Sequence, residues 1–212
     1  MKTILAKKIG MTRVFTDKGK AEAVTVVEAG PCNVIQLNNE EKNGYNSIQI
    51  GYGDKKYLNK PSLGHIKNAK KENDKIKNVS FLKEVRVNKD EIANLKIGDE
   101  LKTDMFKPGD TVSVSGVSKG KGFQGTVKRH HFHTGPKSHG SDNYRQPGSI
   151  GATFPQRTLK GKRMAGHMGA ENITTFGLEI IDIIPEKNII LIKGAVPGAK
   201  NSIITVKGVE ND

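Results

Sequence analysis

The chain has 212 residues, of which 34% are hydrophobic and none is Trp, and this suits one domain or one domain with a substantial excursion. Its 35 Lys and Arg outnumber its 22 Asp and Glu, and a net charge of +13 favours binding to a polyanion such as nucleic acid or an anionic membrane. No apolar run approaches the roughly 20 residues that span a bilayer, no secretory leader pattern is present, and the single Cys32 excludes an intramolecular disulfide and a multi-cysteine zinc site. We therefore expect a cytoplasmic protein.

Short β-branched runs bounded by Gly, Pro and Asn predict strands along most of the chain. They cover residues 23–28, 33–37, 47–50, 111–115, 178–183 and 202–206. Residues 185–188 predict a hairpin turn, and two Gly-Asp corners, in 95–99 and 106–110, are each expected to end one strand and start the next. Asn88 is a candidate cap for one short helix, and long amphipathic helices are not expected. This pattern predicts a mainly β protein built on a small antiparallel barrel.

A Lys-rich segment from about residue 54 to 78 interrupts the predicted strands. It contains eight lysines, namely Lys55, Lys56, Lys60, Lys67, Lys70, Lys71, Lys75 and Lys77. One interpretation is a solvated insertion, and the other is a set of additional phosphate contacts. The sequence favours neither.

The charge is concentrated in residues 119–167. This window holds ten Lys and Arg and only one acid, Asp142, so it supplies nine of the thirteen net positive charges. It also contains nine glycines and five of the six histidines, and its sparse aliphatic residues follow no helical or strand period. Such a segment cannot bury itself as a core. We expect residues 119–168, the basic arm, to be an extended excursion that becomes ordered on a partner that neutralises it.

Residues 120–125 have the G-x-G-x-x-G spacing of dinucleotide-binding loops. That motif requires a preceding strand and a following crossover helix within a βαβ unit, and residues 126–136 are poor helix formers. We interpret the glycines instead as positions where backbone N–H groups approach phosphates, while Lys119, Lys121, Lys128 and Arg129 supply charge.

Neither a metal site nor a catalytic centre is indicated. His130, His131, His133 and His139 lack the fixed spacing and the supporting carboxylates of zinc sites. Contacts to irregular RNA fit them better, together with the flat side chains interspersed among the cations. There is no nucleophile elbow and no carboxylate pair in a glycine-rich loop, and Cys32 is expected to be a small, partly buried residue. We expect no enzyme, no cofactor, no bound metal and no small-molecule substrate.

Residues 145–151 contain Pro147 and Gly148, which predict a tight turn. An ordinary surface turn is the simpler interpretation, but cations on both sides favour a tip embedded in RNA. Residues 160–169 would then return from that tip, their small residues allowing close backbone approach.

Several of these segments together resemble one family. Residues 116–129, 147–151 and 160–169 look like the signature of the ribosomal protein L3 family, and residues 7–15 and 191–198 resemble its opening and closing segments. The resemblance covers essentially the whole chain in order, and its length is typical of the bacterial form. At the tip, no glutamine stands at the spacing where some members carry a modified one, so that modification is not carried over.

This resemblance implies a translation-factor-like β-barrel formed by residues 1–53, 79–118 and 169–212, with a small mixed α/β insertion at 54–78 and the arm at 119–168. It implies a structural constituent of the large ribosomal subunit that binds 23S rRNA near its 3′ end. It also implies a role in early assembly, contacts with neighbouring large-subunit proteins, and an arm that reaches toward the peptidyl transferase centre. The alternatives are a stand-alone RNA-binding or chaperone module and, from the glycine motif, a nucleotide-dependent enzyme.

The candidate RNA-binding residues are the cations and histidines of the arm. They are Lys119, Lys121, Lys128, Arg129, His130, His131, His133, Lys137, Arg145, Arg157, Lys160, Lys162, Arg163 and His167. The candidate tip consists of Gln146, Pro147, Gly148, Ser149, Ile150, Gly151 and Phe154.

Overall fold

The computed structural model describes residues 2–15, 19–72, 76, 78–93 and 95–209. The protein is mainly β, as predicted, and it divides into two compact units. The first comprises Met1–Val117 and Asn172–Asp212, and the second comprises Ser118–Glu171. Lys75 and Lys77 of the Lys-rich segment, and the side chain of Lys70, lie outside what the structure describes.

The strands and helices alternate irregularly along the chain. In order they are β1 (Thr3–Phe15), β2 (Ala21–Ala29), β3 (Cys32–Asn38), α1 (Glu40–Asn43), β4 (Ser47–Asp54), α2 (Lys60–Glu72), β5 (Val79–Arg86), α3 (Lys89–Ala93), β6 (Glu100–Leu101), β7 (Thr111–Val117), β8 (Gly122–Gln124), α4 (Thr126–His130), β9 (Gly166–Met168), β10 (Asn172–Ile184), β11 (Ile189–Lys193) and β12 (Ile203–Gly208). Each predicted strand falls on one of these, which confirms them. Within the described residues, no helix is long and apolar enough to cross a membrane.

Six strands close into the antiparallel barrel that the sequence predicted. Their order is β1-β12-β7-β10-β11-β2, and β2 pairs with both β1 and β11. Alternate residues point inward, which is why the β-branched runs predict strands. The interior is filled by side chains that are almost wholly buried, including Ile4, Val27, Val114, Ile180, Ile190, Ile192, Ile204 and Val206.

A second sheet, with the order β5-β4-β3-β6, carries helix α2. Ile66 and Ala69 of α2 are buried against Ile35 and Val79 in a small separate core. The family resemblance implied a mixed α/β insertion at 54–78, but the residue pattern did not predict this helix. Only a few apolar residues mark its buried face among lysines, and Pro61 and Gly64 interrupt the pattern. The lysines at 60, 67 and 71 lie exposed on α2, which suits both a solvated surface and phosphate contacts.

The predicted turns have a mixed outcome. A 3-10 turn at Pro185–Lys187 joins β10 to β11, which confirms the hairpin. Both predicted Gly-Asp corners are present as turns closed by the Asp side chain. The N–H of Lys96 donates to Asp99 Oδ2 at 2.7 Å, and that of Lys107 donates to Asp110 Oδ2 at 3.1 Å. A strand starts after each corner, but among the described residues no strand ends at either one, so that part of the prediction was wrong. The short helix after Asn88 is confirmed as α3.

The amine of Lys8 fastens β1 to the loop before β12. It is buried, and its Nζ donates to the carbonyl oxygens of Val196 at 2.9 Å and Gly198 at 3.0 Å. Hydrogen bonds from a charged donor are among the stronger ones in proteins. This lysine is therefore part of the structure of the first unit rather than a free surface cation.

Cys32 is wholly buried, more so than the sequence suggested. Burial raises the pKa of its thiol to about 12, and the thiol donates to the carbonyl oxygen of Leu5 at 3.5 Å. A thiol in this environment is unreactive, because the thiolate is the nucleophile.

Two glycine substitutions should change stability in opposite directions. A Cβ at Gly51 would lie 2.8 Å from Val79 Cγ1 and 3.0 Å from Ile35 Cγ1, so Gly51→Ala should overpack this core and destabilise the protein by about 1–3 kcal/mol. Gly64, within α2, has open space around it, so Gly64→Ala should stabilise the protein by about 0.5–1 kcal/mol. Urea unfolding measures both. Equal effects would contradict the close packing around Gly51 or the open space around Gly64.

Cys32 should resist a thiol reagent at pH 8 in the folded protein and react fast in urea. Because the thiol pKa is raised on folding, its contribution to stability is complete below the pKa of the unfolded thiol and is lost as the pH rises toward 12. The loss should therefore be smaller in Cys32→Ala, measured by urea unfolding between pH 8 and 11. Fast labelling of the native protein would contradict the burial.

Candidate nucleic-acid interface

The regular structure of the second unit consists of a two-stranded sheet, β8 with β9, and the five-residue helix α4. β8 and β9 pair antiparallel, with Phe123 opposite His167. The first and last residues of this unit also bond to each other. The N–H of Ser118 donates to the carbonyl of Glu171 at 2.9 Å, and the N–H of Glu171 donates to Ser118 Oγ at 3.2 Å. Helix α4 follows Gly125 and stops at His131, whose φ of +59° ends the helix. These contacts hold the two ends of the arm together.

Gly169 is required where the two ends of the arm meet. Its φ is +76°, and a Cβ there would overlap the carbonyl oxygen of Lys119. Only glycine combines this conformation with so close a backbone approach. Gly169 of the return segment is therefore needed for the structure of the arm itself, in addition to any close contact with a ligand.

Almost nothing in the second unit is buried. Of residues 118–171, all of which the structure describes, only Thr126 is buried, and none belongs to either hydrophobic core. From residue 131 to 165 the chain contains neither helix nor strand. The cations therefore have no apolar surface to cover and extend into solvent.

The exposed candidates form the larger group. They are Lys119, Lys121, Lys128, His131, His133, Lys137, Arg145, Arg157, Lys160, Lys162, Arg163 and His167. None of the ten Lys and Arg side chains makes an ion pair with an acid among the described residues. Asp142 is exposed as well. The surface thus presents uncompensated positive charge along the whole excursion.

Arg129 and His130 differ from the other candidates, because both are half-buried and hold the arm's return segment. Arg129 Nη1 donates to the carbonyl oxygen of Met164 at 2.9 Å, and His130 Nε2 lies 3.1 Å from the same oxygen. Gly166 leaves the room for the guanidinium, since a Cβ there would lie 2.5 Å from Arg129 Nη1. The acceptor is a backbone carbonyl, so no side-chain pattern could have indicated it.

Flat side chains are spread among the cations. Phe123 is 76% exposed and Phe154 is 87% exposed. Lys137 Nζ lies 5.3 Å from the centre of the Tyr144 ring, a cation–π distance. Exposed rings beside cations are suited to stacking with unpaired bases.

The candidate tip, residues 146–151 with Phe154, is exposed throughout. The chain bends at residues 144–146, just before the predicted turn at Pro147 and Gly148, and Gly148 has a φ of +75°. Ser149 Oγ donates to the carbonyl of Gly151 at 2.8 Å, and Ile150 is 45% exposed.

The glycine motif lies in a topology that does not suit a dinucleotide. Residues 122–124 form β8, and α4 follows with only five residues. β8 then pairs antiparallel with β9, whereas the dinucleotide fold requires parallel strands joined by a longer crossover helix. Among the described residues, no three His, Cys, Asp or Glu side chains come together in a way that could hold a metal ion.

Comparison with known proteins agrees with the residue patterns. The model of the family described as ribosomal protein L3 matches residues 62–188. The chain is 49% identical over 208 residues to the large ribosomal subunit protein uL3 of Heliobacterium modesticaldum, and 47% identical over 208 residues to that of Pelotomaculum thermopropionicum. Each alignment covers 97% of this chain and 96% of the relative.

A match of this extent, together with the barrel and the charged second unit, identifies the chain. It belongs to the ribosomal protein L3 family, whose members are structural constituents of the large ribosomal subunit.

Proposed function

We propose that this protein binds 23S rRNA through its basic arm, near the 3′ end of that RNA, and that the arm extends toward the peptidyl transferase centre. The observation that carries the proposal is a segment with ten cations, one acid and a single buried residue, in which no cation is paired with a described acid. A surface of this kind is stabilised when phosphates replace the missing counter-charges.

Different residues of the arm would contact different parts of the RNA. The exposed lysines and arginines neutralise phosphates and set the position of the RNA, whereas Phe123, Phe154 and the exposed histidines contact bases or sugars. Arg129 and His130 hold Met164 and so keep the return segment beside α4. The tip residues, which carry no charge from Gln146 to Phe154, would enter places where RNA backbones are too close for a hydrated cation.

The same chemistry supports a role in early assembly. RNA segments that repel one another can come together only when their phosphates are neutralised, and a chain with nine net positive charges over 49 residues supplies this locally. Neighbouring large-subunit proteins would then add to the folded RNA. We propose no catalytic role for any side chain of this protein.

Sedimentation tests the assignment to the subunit. Cell lysate is run through a sucrose gradient at moderate salt, and the fractions are probed for this protein. Co-migration with 50S and 70S particles is expected. Recovery in the free protein fraction alone would favour a stand-alone RNA-binding module.

Reversing charge on the arm should impair RNA binding without unfolding the first unit. Lys162 and Arg163 are both exposed, so Lys162→Glu with Arg163→Glu should reduce incorporation into reconstituted subunits at least 10-fold. In the milder Lys162→Gln with Arg163→Gln, two phosphates would no longer be neutralised. The slope of log affinity against log salt should then become shallower by about 1.4–1.8, or about 0.7–0.9 for each of these phosphates.

The matched control reverses two exposed cations of the first unit, Lys187→Glu with Lys200→Glu. It makes the same change in net charge and should affect incorporation much less. Unfolding by urea should be unchanged in both double variants. Equal reductions in incorporation would show that net charge, rather than the arm, drives binding.

A further inference from the structure

A groove runs along one side of the first unit, between strand β5 and the outer face of the barrel. It consists of two adjoining cavities of about 720 Å³ and 470 Å³, and Ser115 and Thr174 line both. One wall is β5, which lies at the edge of its sheet. The floor comes from β7, β10 and β12 of the barrel. All of these residues belong to the first unit.

The groove is positively charged. Among the described residues that line it are the cations Lys2, Lys83, Arg86 and Lys207 and one acid, Glu91. Lys2 pairs with Asp110 at 3.1 Å. The other three cations are exposed and make no ion pair with any acid that the structure describes. An anionic ligand would therefore meet Lys83 and Arg86, together with Lys207, whose charge the nearby carboxylate of Glu91 balances in part.

Hydroxyl groups line the floor between these charges. Ser115 Oγ and Thr174 Oγ1 lie 2.8 Å apart, so one donates to the other. The hydroxyl that accepts this bond keeps its own proton to donate, and both oxygens retain lone pairs. Thr205 adds a further hydroxyl to the smaller cavity, whereas the buried Ser113 of the larger cavity donates its hydroxyl proton to the carbonyl oxygen of Lys207 at 3.4 Å. Such a floor can bond either to phosphate oxygens or to ribose hydroxyls.

Two aromatic rings stand at the groove. Phe176 is 74% exposed, and Phe81 is 49% exposed. Phe176 lines the larger cavity, and Phe81 lines the smaller one. Leaving apolar rings in water is unfavourable, and a ring beside cations is the arrangement that binds unpaired bases in single-stranded nucleic acid sites.

We propose that this groove is a second RNA-binding surface, which takes a single-stranded or irregular segment of rRNA independently of the arm. The cations would bind its phosphates, the Ser115–Thr174 pair would bond to its sugar-phosphate backbone, and Phe176 would stack on a base. This inference rests on the proposed function in that rRNA is the ligand, and it adds a contact made by the barrel itself.

An acidic peptide added to the free edge of β5 is the competing occupant. Strand addition requires an edge whose side chains leave the partner strand room. Exposed charges such as Lys83 and Arg86 are the usual means by which an edge strand discourages such pairing. The exposed ring of Phe176 also contributes nothing specific to an acidic side chain. RNA uses the charges, the hydroxyls and the rings together.

The test measures affinity of the full-length protein for a transcript of the 3′ part of 23S rRNA over a series of salt concentrations. Phe176→Ala should weaken binding roughly 5- to 10-fold, because one base can no longer stack on the ring. Lys83→Gln with Lys207→Gln should make the salt slope shallower by about 1.4, because two phosphates of a single strand are no longer neutralised. Ultraviolet crosslinking should join the peptide that contains Phe176 to RNA.

Matched controls lie elsewhere in the first unit. Phe15→Ala removes a ring that is 64% exposed and does not line the groove, and Lys187→Gln with Lys200→Gln removes two exposed cations. Both should bind nearly as the parent protein does. Urea unfolding of every variant should match that of the parent, so that weaker binding cannot be attributed to unfolding.

The arm variant Lys162→Gln with Arg163→Gln is measured in parallel, so that the two proposals can fail separately. Groove variants that match their controls in affinity and slope, beside a weakened arm variant, would overturn the groove alone. A weakened groove with an unaffected arm would overturn the arm proposal alone. Binding of polyglutamate that depends on Lys83 and Lys207, with unchanged RNA affinity, would also overturn the RNA assignment.

Discussion

The pairing of β7 with β10 is the constraint on which the arrangement of the chain depends. Val117 and Asn172 are direct partners in that pairing, so the 54 residues between them leave and re-enter the barrel at one point. Closing a loop of this length costs about 3.5 kcal/mol in chain entropy, apart from a constant. Burying a single large aliphatic side chain contributes about 1.5–3 kcal/mol. Two or three of the buried isoleucines therefore offset the closure.

This comparison explains why a segment without a core can persist inside a folded chain. The barrel supplies the free energy, and the excursion needs only enough local bonding to join its two ends. That bonding is present in the β8–β9 ladder, in the Ser118–Glu171 hydrogen bonds and in the contact of Arg129 with the Met164 carbonyl. Beyond these bonds, the arm can keep nearly every cation exposed for a ligand.

Much of the fold could be predicted from sequence, because inward and outward residues alternate along the barrel strands. The runs at 111–115 and 202–206 could be assigned for this reason. Helix α2 could not, since among its described side chains only Ile66 and Ala69 are buried. Among the described residues, no strand ends at Gly98 or Gly109. An Asp side chain closes each corner locally, so the motif indicates a corner but does not require a preceding strand.

The candidate RNA-binding surfaces were likewise predictable only in part. Exposure of the arm's cations follows from composition alone, since a segment with so few apolar residues has nothing to cover them. The groove beside β5 could not be predicted, because its lining comes from residues 2–5, 81–91, 113–117, 172–176 and 203–209, which come together only when the barrel and the second sheet have both folded. A charged site can be predicted from sequence when its cations are close together in the chain, but not when the tertiary structure brings them together from distant segments.

Positive charge is balanced by acids in part of the first unit but not in the arm. Nine of the thirteen net positive charges lie in residues 119–167. In the first unit, Lys193 pairs with Glu179 at 2.9 Å and with Glu22 at 3.3 Å, and these carboxylates raise the pKa of its amine. Surface pairs of this kind add little stability, but they leave the barrel with little self-repulsion. The first unit therefore balances part of its charge within itself, whereas none of the arm's lysines and arginines pairs with a described acid.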